Sequence, residues 1–496
     1  MKTIVTTTVI VMMAVAACLV STTQAQEDPT PVRAADRPNI LFAIADDWGW
    51  PHAGAYDDPV VETPTFDRLA AEGALFQHAY VSSPSCTPSR GAILTGQWHW
   101  RLEGAANLWS VLPDRFDTYP EILARAGYET GSKSKGWGPG RTETPGRQPA
   151  GPPVGARKTL GDFIKAVPEG KPWCYWLGSH DPHRGFDRDS GARSGMDLSK
   201  IKLFGHFPDS PEVRGDVADY YLEVQRFDRV VGEAIAELEA SGQLDNTIIV
   251  MTGDHGMPFP RCKSNNYDSG ARVPLAVRWP KNVKAGTVVT EFVSLIDLAP
   301  TFYEATGVAI PEVVTGRSLL PLLAGKGTSD RSYILHGKER HVPGQEAPEM
   351  GGYPTRALRT DDFLYLHNFF PDRWPAGTPH YQKAAFTNAW LADCDNGPTK
   401  NYIVENRNKD DAHRLFYQLS FGKRPSDELY DLDKDPDQLV NIAADPAYAA
   451  TLKRLKKQLF AELEKSGDPR VTGKGPDFDR FPYLGGAPRF PRVADR

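Results

Sequence analysis

Cys86, Pro88 and Arg90 carry the densest chemical signal in the chain, within Cys86-Thr87-Pro88-Ser89-Arg90 and the Gly91-Ala92-Ile93-Leu94-Thr95-Gly96 that follows. Pro88 suits the first turn of a helix running to about Leu94. Cys86 then stands at the helix N-terminus, where unpaired N–H groups and the dipole favour an anion. In isolation such a thiol reads more simply as a buried free cysteine. Asp46-Asp47 and Asp254-His255 each stand directly after an apolar run, and His180-Asp181-Pro182-His183 follows a third. An Asp-Asp pair after a strand commonly serves a turn or a helix cap, so each pattern alone is weak. Their chemistry depends on being brought together.

The elements that must position them are three buried strands. Asn39 to Ala45, Trp173 to Leu177 and Thr247 to Thr252 are short, almost wholly apolar runs of the kind found in parallel sheets covered on both faces. In open α/β sheets ligands bind outside the carboxyl ends of the strands. The three polar clusters are therefore expected to converge on one crevice although the outermost are some two hundred residues apart. Helices lie between them. Thr63 before Pro64 predicts an N-cap, with Phe66, Leu69 and Ala70 facing inward. Tyr221, Val224, Phe227, Val231, Ile235 and Leu238 recur at steps of three and four within an amphipathic helix over 219–238. The Gly- and Pro-dense segment 136–155 reads as an ordered loop. After about residue 345 the texture changes: Thr355 to Arg359 and Phe363 to Leu366 look like antiparallel strands, and 449–463 is helical. The expectation is a doubly wound, mostly parallel α/β domain over 26–345. A smaller α+β domain over 346–496 ends in a Pro/Gly-rich tail from about 466.

Composition bounds the function classes. The 496 residues are 40% hydrophobic and 24% charged, with 57 Lys+Arg against 63 Asp+Glu and a net charge of -6. That is a globular chain with no polybasic footprint, so nucleic acid is not expected as a partner. Residues 1–25 have the layout of an export signal removed after Ala25, interrupted by Thr6-Thr7-Thr8 and too weakly apolar for a permanent span. Val15-Ala16-Ala17-Cys18 also resembles a lipobox, with Cys18 as the acylation site. The expected location is periplasmic or secreted, with no transmembrane segment in the mature chain. Cys86, Cys174, Cys262 and Cys394 are widely spaced and form neither a disulfide framework nor a zinc motif; Cys174 is expected to be a small buried hydrophobe.

Taken together, these pieces resemble the type I sulfatases of the alkaline phosphatase superfamily, over nearly the whole exported chain. The residues that carry the likeness are Cys86-Thr87-Pro88-Ser89-Arg90, Arg37-Pro38-Asn39-Ile40-Leu41 into Asp46-Asp47, Thr252-Gly253-Asp254-His255-Gly256, and the closing Glu428-Leu429-Tyr430-Asp431-Leu432 with Asp435-Pro436 and Asn441. The resemblance implies that a formylglycine-generating enzyme or anaerobic maturase converts Cys86 to formylglycine. Its hydrate offers two hydroxyls on one carbon: one attacks sulfur, and the other expels sulfate by re-forming the aldehyde. The resemblance further implies one divalent cation held by Asp46, Asp47, Cys86, Asp254 and His255, for which three carboxylates suit Ca²⁺ although an imidazole is less typical of it. It implies Arg90, Lys135 and Lys263 as the cations that hold sulfate, and His180 as the acid that protonates the leaving group.

Ser179 to Arg184, Asp254 to Pro260 and Thr315 to Pro321 are most similar to the family members that act on N-sulfated glucosamine, which suggests a sulfated amino sugar as substrate. One departure stands out: Ser134-Lys135-Gly136-Trp137 puts an indole where many members carry a second histidine, and an indole cannot be a base. His52 or a metal-bound carboxylate could replace it, and Trp137 could instead stack on a sugar. Further substrate candidates are Arg184, Arg340, His341, Arg356 and Arg373, because anionic sugars suit guanidinium forks. Two alternatives stay open: a phosphodiesterase or phosphonate monoester hydrolase of the same superfamily, and a non-catalytic glycan-binding protein.

Overall fold

The computed structural model of the chain describes residues 37–325 and 331–490. The expected leader and Cys18 lie outside the described residues. In chain order the strands are β1 (Asn39–Ala45), β2 (Ala74–Tyr80), β3 (Ser110–Leu112), β4 (Glu129–Lys133), β5 (Gly140–Thr142), β6 (Trp173–Gly178), β7 (Thr247–Gly253), β8 (Leu275–Arg278), β9 (Thr287–Ser294), β10 (Tyr333–Lys338), β11 (Thr355–Thr360), β12 (Phe363–Asn368) and β13 (Asp427–Asp431). Seven of them form the central sheet in the order β4-β6-β1-β7-β8-β2-β9. The pairs β4–β6, β6–β1, β1–β7 and β2–β9 are parallel, while β8 runs antiparallel to both of its neighbours.

Alternation along β1 explains its uninterrupted apolar sequence. Ile40, Phe42 and Ile44 enter one core, and Leu41, Ala43 and Ala45 enter the core on the opposite face. A strand covered on both sides has no face to give to polar residues. The register sets Ile44 opposite Gly178 and Ala45 opposite Gly253, so β6, β1 and β7 end level with one another. Their polar sequels emerge at one edge, as the expected fold class requires.

Thr63 does occupy the cap position of the helix Pro64–Glu72, and Phe66, Leu69 and Ala70 are buried. Its hydroxyl does not cap, however; it accepts from the Gly54 N–H and donates to Asp67. The long amphipathic helix spans Pro211–Ala240, capped by the Ser210 hydroxyl accepting from Val213 N–H, and buries all six of the periodic apolar residues. The 136–155 segment differs from a pure loop, because β5 pairs in parallel with β3.

A second sheet, wholly antiparallel, has the order β10-β11-β12-β13. It begins at Tyr333, ahead of the expected change near 345. The helix Ala449–Lys465 buries Leu455, Leu459 and Leu463, one per turn, in a core shared with Leu335, Leu358, Tyr365 and Leu429. Beyond it the chain makes short turns at Pro469–Thr472 and Asp477–Arg480 and then continues over 481–490 outside regular helix. Cys86, Cys174, Cys262 and Cys394 are all buried and free. Among the described residues no helix is long and apolar enough to cross a membrane.

Candidate active site

Cys86 opens the helix Cys86–Thr95, directly after the extended cap residue Ser85, and every residue of that helix is buried. The helix ends where Gly96 turns left-handed, with φ 67°, a conformation that a Cβ disfavours. The strand ends are tied to one another by backbone bonds: Asp46 N–H donates to Asp181 O at 3.1 Å and Asp254 N–H to Ala45 O at 3.2 Å. Asp47 is left-handed, with φ 76°, which Asp tolerates better than most residues. Its N–H donates to Asp254 Oδ1 at 2.9 Å. The two acidic pairs thereby share one buried spot.

Around the thiol the charges alternate. Arg90, fully buried, donates from Nε to Asp254 Oδ2 at 2.7 Å and from its Nη atoms to the carbonyls of Lys135, Gly136 and Ala45 at 2.9, 3.1 and 3.2 Å. Lys135 Nζ stands 2.5 Å from Asp46 Oδ2, and Lys263 Nζ stands 2.9 Å from both Asp47 Oδ2 and Asp395 Oδ2. His255 Nε2 lies 3.2 Å from Cys86 Sγ and 3.2 Å from Asp47 Oδ1. Burial pushes the Cys86 thiol well up, beyond what Lys135 and Lys263 can offset. For Asp46 the balance is reversed: burial would raise its carboxyl, but Lys135 and Arg90 hold it well below the usual carboxylate range. Lys135 and Lys263 lose basicity to burial and regain more from Asp46 and from Asp395 and Asp47, respectively, so both stay protonated.

Donor atoms of Asp46, Cys86, Asp254 and His255 lie within 4.8 Å of one another. Asp46 Oδ1 and Asp47 Oδ1 are buried and make no hydrogen bond among the described residues. Buried carboxylate oxygens without a hydrogen-bond donor are costly, and a divalent cation is a partner whose chemistry this donor set fits.

His180 and its neighbours border this cluster. The His180 ring is exposed and makes no hydrogen bond among the described residues; partial burial pushes its pKa down, against the pull of Asp46. His183, three residues on, places Nε2 4.0 Å from Asp47 Oδ2 and fixes Nδ1 at 2.6 Å from Arg184 O. Ligand atoms of Asp47, His183 and Asp395 also fall within 4.8 Å of one another. His183 and Asp395 are the residues that sequence reasoning missed. His183 had a signal in the second histidine of His-Asp-Pro-His, whereas Asp395 had none.

The arginines offered as sugar contacts are committed to the protein. Arg356 is fully buried against Asp468 at 2.5 Å and Glu339 at 2.6 Å. Arg184 grips Asp216 through two bonds of 2.7 and 2.8 Å and lies on the Phe259 ring. Arg373 pairs with Glu349 and Asp479, and Arg340 donates to the carbonyls of Phe481 and Pro482. His341 accompanies Cys86 more closely: its Nδ1 is 2.8 Å from Ser85 Oγ, and burial pushes its pKa down to about 3. His52 is not brought to Cys86; it bonds Tyr221 and faces Asp58 behind the chain that follows β1. Trp137, half-buried, packs on Leu102, Ala105 and Leu112 and beneath Gly91.

A mostly parallel sheet that gathers a buried helix N-terminus bearing Cys86, buried carboxylates and three cations at its strand ends suits a hydrolase centre for anionic esters. The sulfatase family model matches residues 38–308, more than half of the chain, and the chain belongs to the sulfatase family, whose reaction is the hydrolysis of sulfuric esters. It is 28% identical over 480 residues to human N-sulphoglucosamine sulphohydrolase, covering 87% of this chain and 91% of that protein. It is 30% identical over 522 residues to human arylsulfatase A, covering 91% and 94%. Among solved structures, a protein in complex with its substrate D-glucosamine-2-N,6-O-disulfate matches with a TM-score of 0.59 at 21% identity, over 87% of this chain and 98% of that one.

Proposed function

We propose that this chain is an exported glycan sulfatase that acts through a formylglycine made from Cys86 and removes sulfate from sulfated sugars, with N-sulfated glucosamine the first candidate. The observation that carries the reading is the position of Cys86 at a helix N-terminus within reach of Arg90, Lys135, Lys263 and the Asp46-Asp47-Asp254-His255 cluster. Similarity to the human N-sulphoglucosamine sulphohydrolase across most of both chains supports the amino sugar.

Asp46, Asp47, Asp254 and His255 would hold a divalent cation, for which we propose calcium. When bound, it supplies positive charge to the nucleophile's oxygen and to the sulfate. Residues 26–345 would form the catalytic domain and 346–496 a smaller domain closing the pocket, with a formylglycine-generating enzyme as the maturation partner.

The chain's own groups then divide the work. Lys135 and Lys263 place two protonated amines at the crevice, each anchored by a carboxylate so that it points rather than wanders. At about 4 Å and an effective dielectric near 20, each is worth about 4 kcal/mol to a unit negative charge, against about 1 kcal/mol in water. Arg90 lies behind them and binds Asp254 and three carbonyls, which makes it the strut that holds the acidic pair in place. For protonating the leaving oxygen or nitrogen we assign His183 rather than His180. Its Nδ1 is engaged by the Arg184 carbonyl, which turns Nε2 toward Asp47, 4.0 Å away.

The test is sulfate release by matured protein from glucosamine bearing sulfate on N, O3 or O6 and from sulfated uronic acids. Release from the N-sulfated sugar establishes a sulfamidase. Release only from O-sulfated sugars refutes the N-sulfate assignment while keeping the sulfatase. Cys86→Ser should lose multiple turnover, and full turnover by that variant overturns the formylglycine mechanism.

A further inference from the structure

Cys86 belongs to an apolar cluster with Leu108, Val342, Ala389 and Ala392, and against that cluster pack three half-buried aromatic rings, Trp109, Phe386 and Tyr483. They come from three distant stretches of the chain. Tyr483 lies on the terminal segment 481–490, which is fastened at several points. Phe481 O and Pro482 O accept from Arg340 at 2.7 and 3.3 Å. Leu484 N–H donates to Trp109 O at 2.8 Å, Pro488 O accepts from Trp390 N–H at 3.1 Å, and Arg489 O accepts from Asn396 at 2.9 Å. Gly485 lies flat on the Trp109 indole: a Cβ there would stand 2.2 Å from the ring. Trp109 itself is held left-handed, with φ 50°, a conformation uncommon for a bulky residue. The Tyr483 ring meets Phe386 edge to face at 5.7 Å, and its hydroxyl donates to Gly486 O.

A half-exposed aromatic collar beside a charged crevice matches the usual make-up of small-molecule sites, in which apolar and aromatic walls surround a few placed polar groups. The anion machinery accounts for sulfate alone; it offers nothing to the apolar face of a pyranose ring. We propose that Tyr483, Phe386 and Trp109 form the sugar-binding wall of the active site and that the terminal segment 481–490 is a specificity-determining part of the enzyme. This rests on the glycan sulfatase reading. The parts of the three rings that packing leaves exposed would border the sugar while the lysines hold its sulfate.

The test uses matured full-length enzyme and separates sugar contacts from sulfate contacts. Tyr483→Ala and Phe386→Ala should each raise KM for a sulfated monosaccharide about tenfold, with kcat changed less than threefold. Inhibition by inorganic sulfate should stay within twofold of wild type. Tyr483→Phe should keep the wild-type KM. Gly485→Val, which truncates no ring but drives the segment off the indole, should reproduce the KM rise if the alanine variants prove poorly folded in thermal melts. Calorimetric binding of the same sugar to Cys86→Ala, with and without Tyr483→Ala, reads the collar without turnover; a tenfold weaker Kd is expected. Unchanged KM and Kd in all of these variants overturn the proposal, as does a sulfate inhibition constant that shifts in parallel with KM. If wild-type enzyme releases no sulfate from any sugar, the activity reading fails, and the calorimetry still decides the collar.

Discussion

Lys263→Met is the most informative single change at the crevice. The Lys263 amine is almost wholly buried and stands 2.9 Å from carboxylate oxygens of both Asp47 and Asp395. Methionine keeps most of the stem's volume and removes the charge. A bound sulfate about 4 Å from the lost charge forfeits about 4 kcal/mol at an effective dielectric near 20, or about three orders of magnitude in kcat/KM. A second cost follows from geometry. Burial would raise the Asp395 carboxyl, and Lys263 is the foremost group that reverses this; without the lysine, Asp395 becomes an unpaired negative charge facing an anionic substrate. Lys263→Met/Asp395→Asn should therefore recover at least tenfold of the loss, while Asp395→Asn alone should change kcat/KM little. The assay is sulfate release from the best sugar substrate, with melting temperatures of all three variants as controls for folding. A loss below tenfold for Lys263→Met refutes the assignment of Lys263 as a sulfate-holding cation. A double variant no better than the single one refutes the electrostatic coupling between Lys263 and Asp395.

His183→Gln should lower kcat at least about a hundredfold, within the span general acids contribute, and His180→Gln less than tenfold; the opposite ranking on a sulfated sugar would return the proton donor to His180. Asp58 gives a pH prediction: burial would raise its carboxyl, but the His52 ring and the Tyr221 hydroxyl more than reverse this and bring it down to about 2. A depressed folded-state value stabilises above the unfolded value near 4 and is lost as pH falls through about 2, a contribution of about 2 kcal/mol. Asp58→Asn should therefore melt lower than wild type at pH 6 and nearly level with it at pH 2; an equal gap at both pH values contradicts this. Dialysis against a chelator should lower the melting temperature by several degrees and calcium should restore it, since Asp46 and Asp47 keep buried oxygens without hydrogen bonds; a melting temperature indifferent to chelator and calcium would mean the cluster holds no ion.

What the sequence discloses about this centre follows from how local each cause is. Asp46-Asp47 and Asp254-His255 are legible because each stands at the end of an apolar strand, and level strand ends in a parallel sheet leave their sequels few places to go. Cys86 is legible because a proline in the first turn and a glycine after the last delimit its helix. Which of His180 and His183 turns its ring toward Asp47 is not a local matter. It is set by how the chain leaves β6, through Asp181 O accepting from Asp46 N–H and Ser179 N–H donating to Ile44 O, and no residue type announces that path. The arginines are ambiguous for a related reason: a guanidinium that will meet Asp216 or Asp468 across 32 or 112 residues of chain has the same letter as one that will meet a sugar. Its fate depends on whether a carboxylate arrives first. The same logic makes the collar invisible in sequence, because Trp109, Phe386 and Tyr483 share no spacing and belong to no repeating pattern. Arg184 and Arg356 are taken by the buried carboxylates of Asp216 and Asp468, Arg373 by Glu349 and Asp479 and Arg340 by backbone carbonyls, and half-exposed aromatic rings pack beside Cys86. On the glycan sulfatase reading, the sugar-binding surface is to be sought among the rings that packing left uncovered, with Tyr483 the first to test.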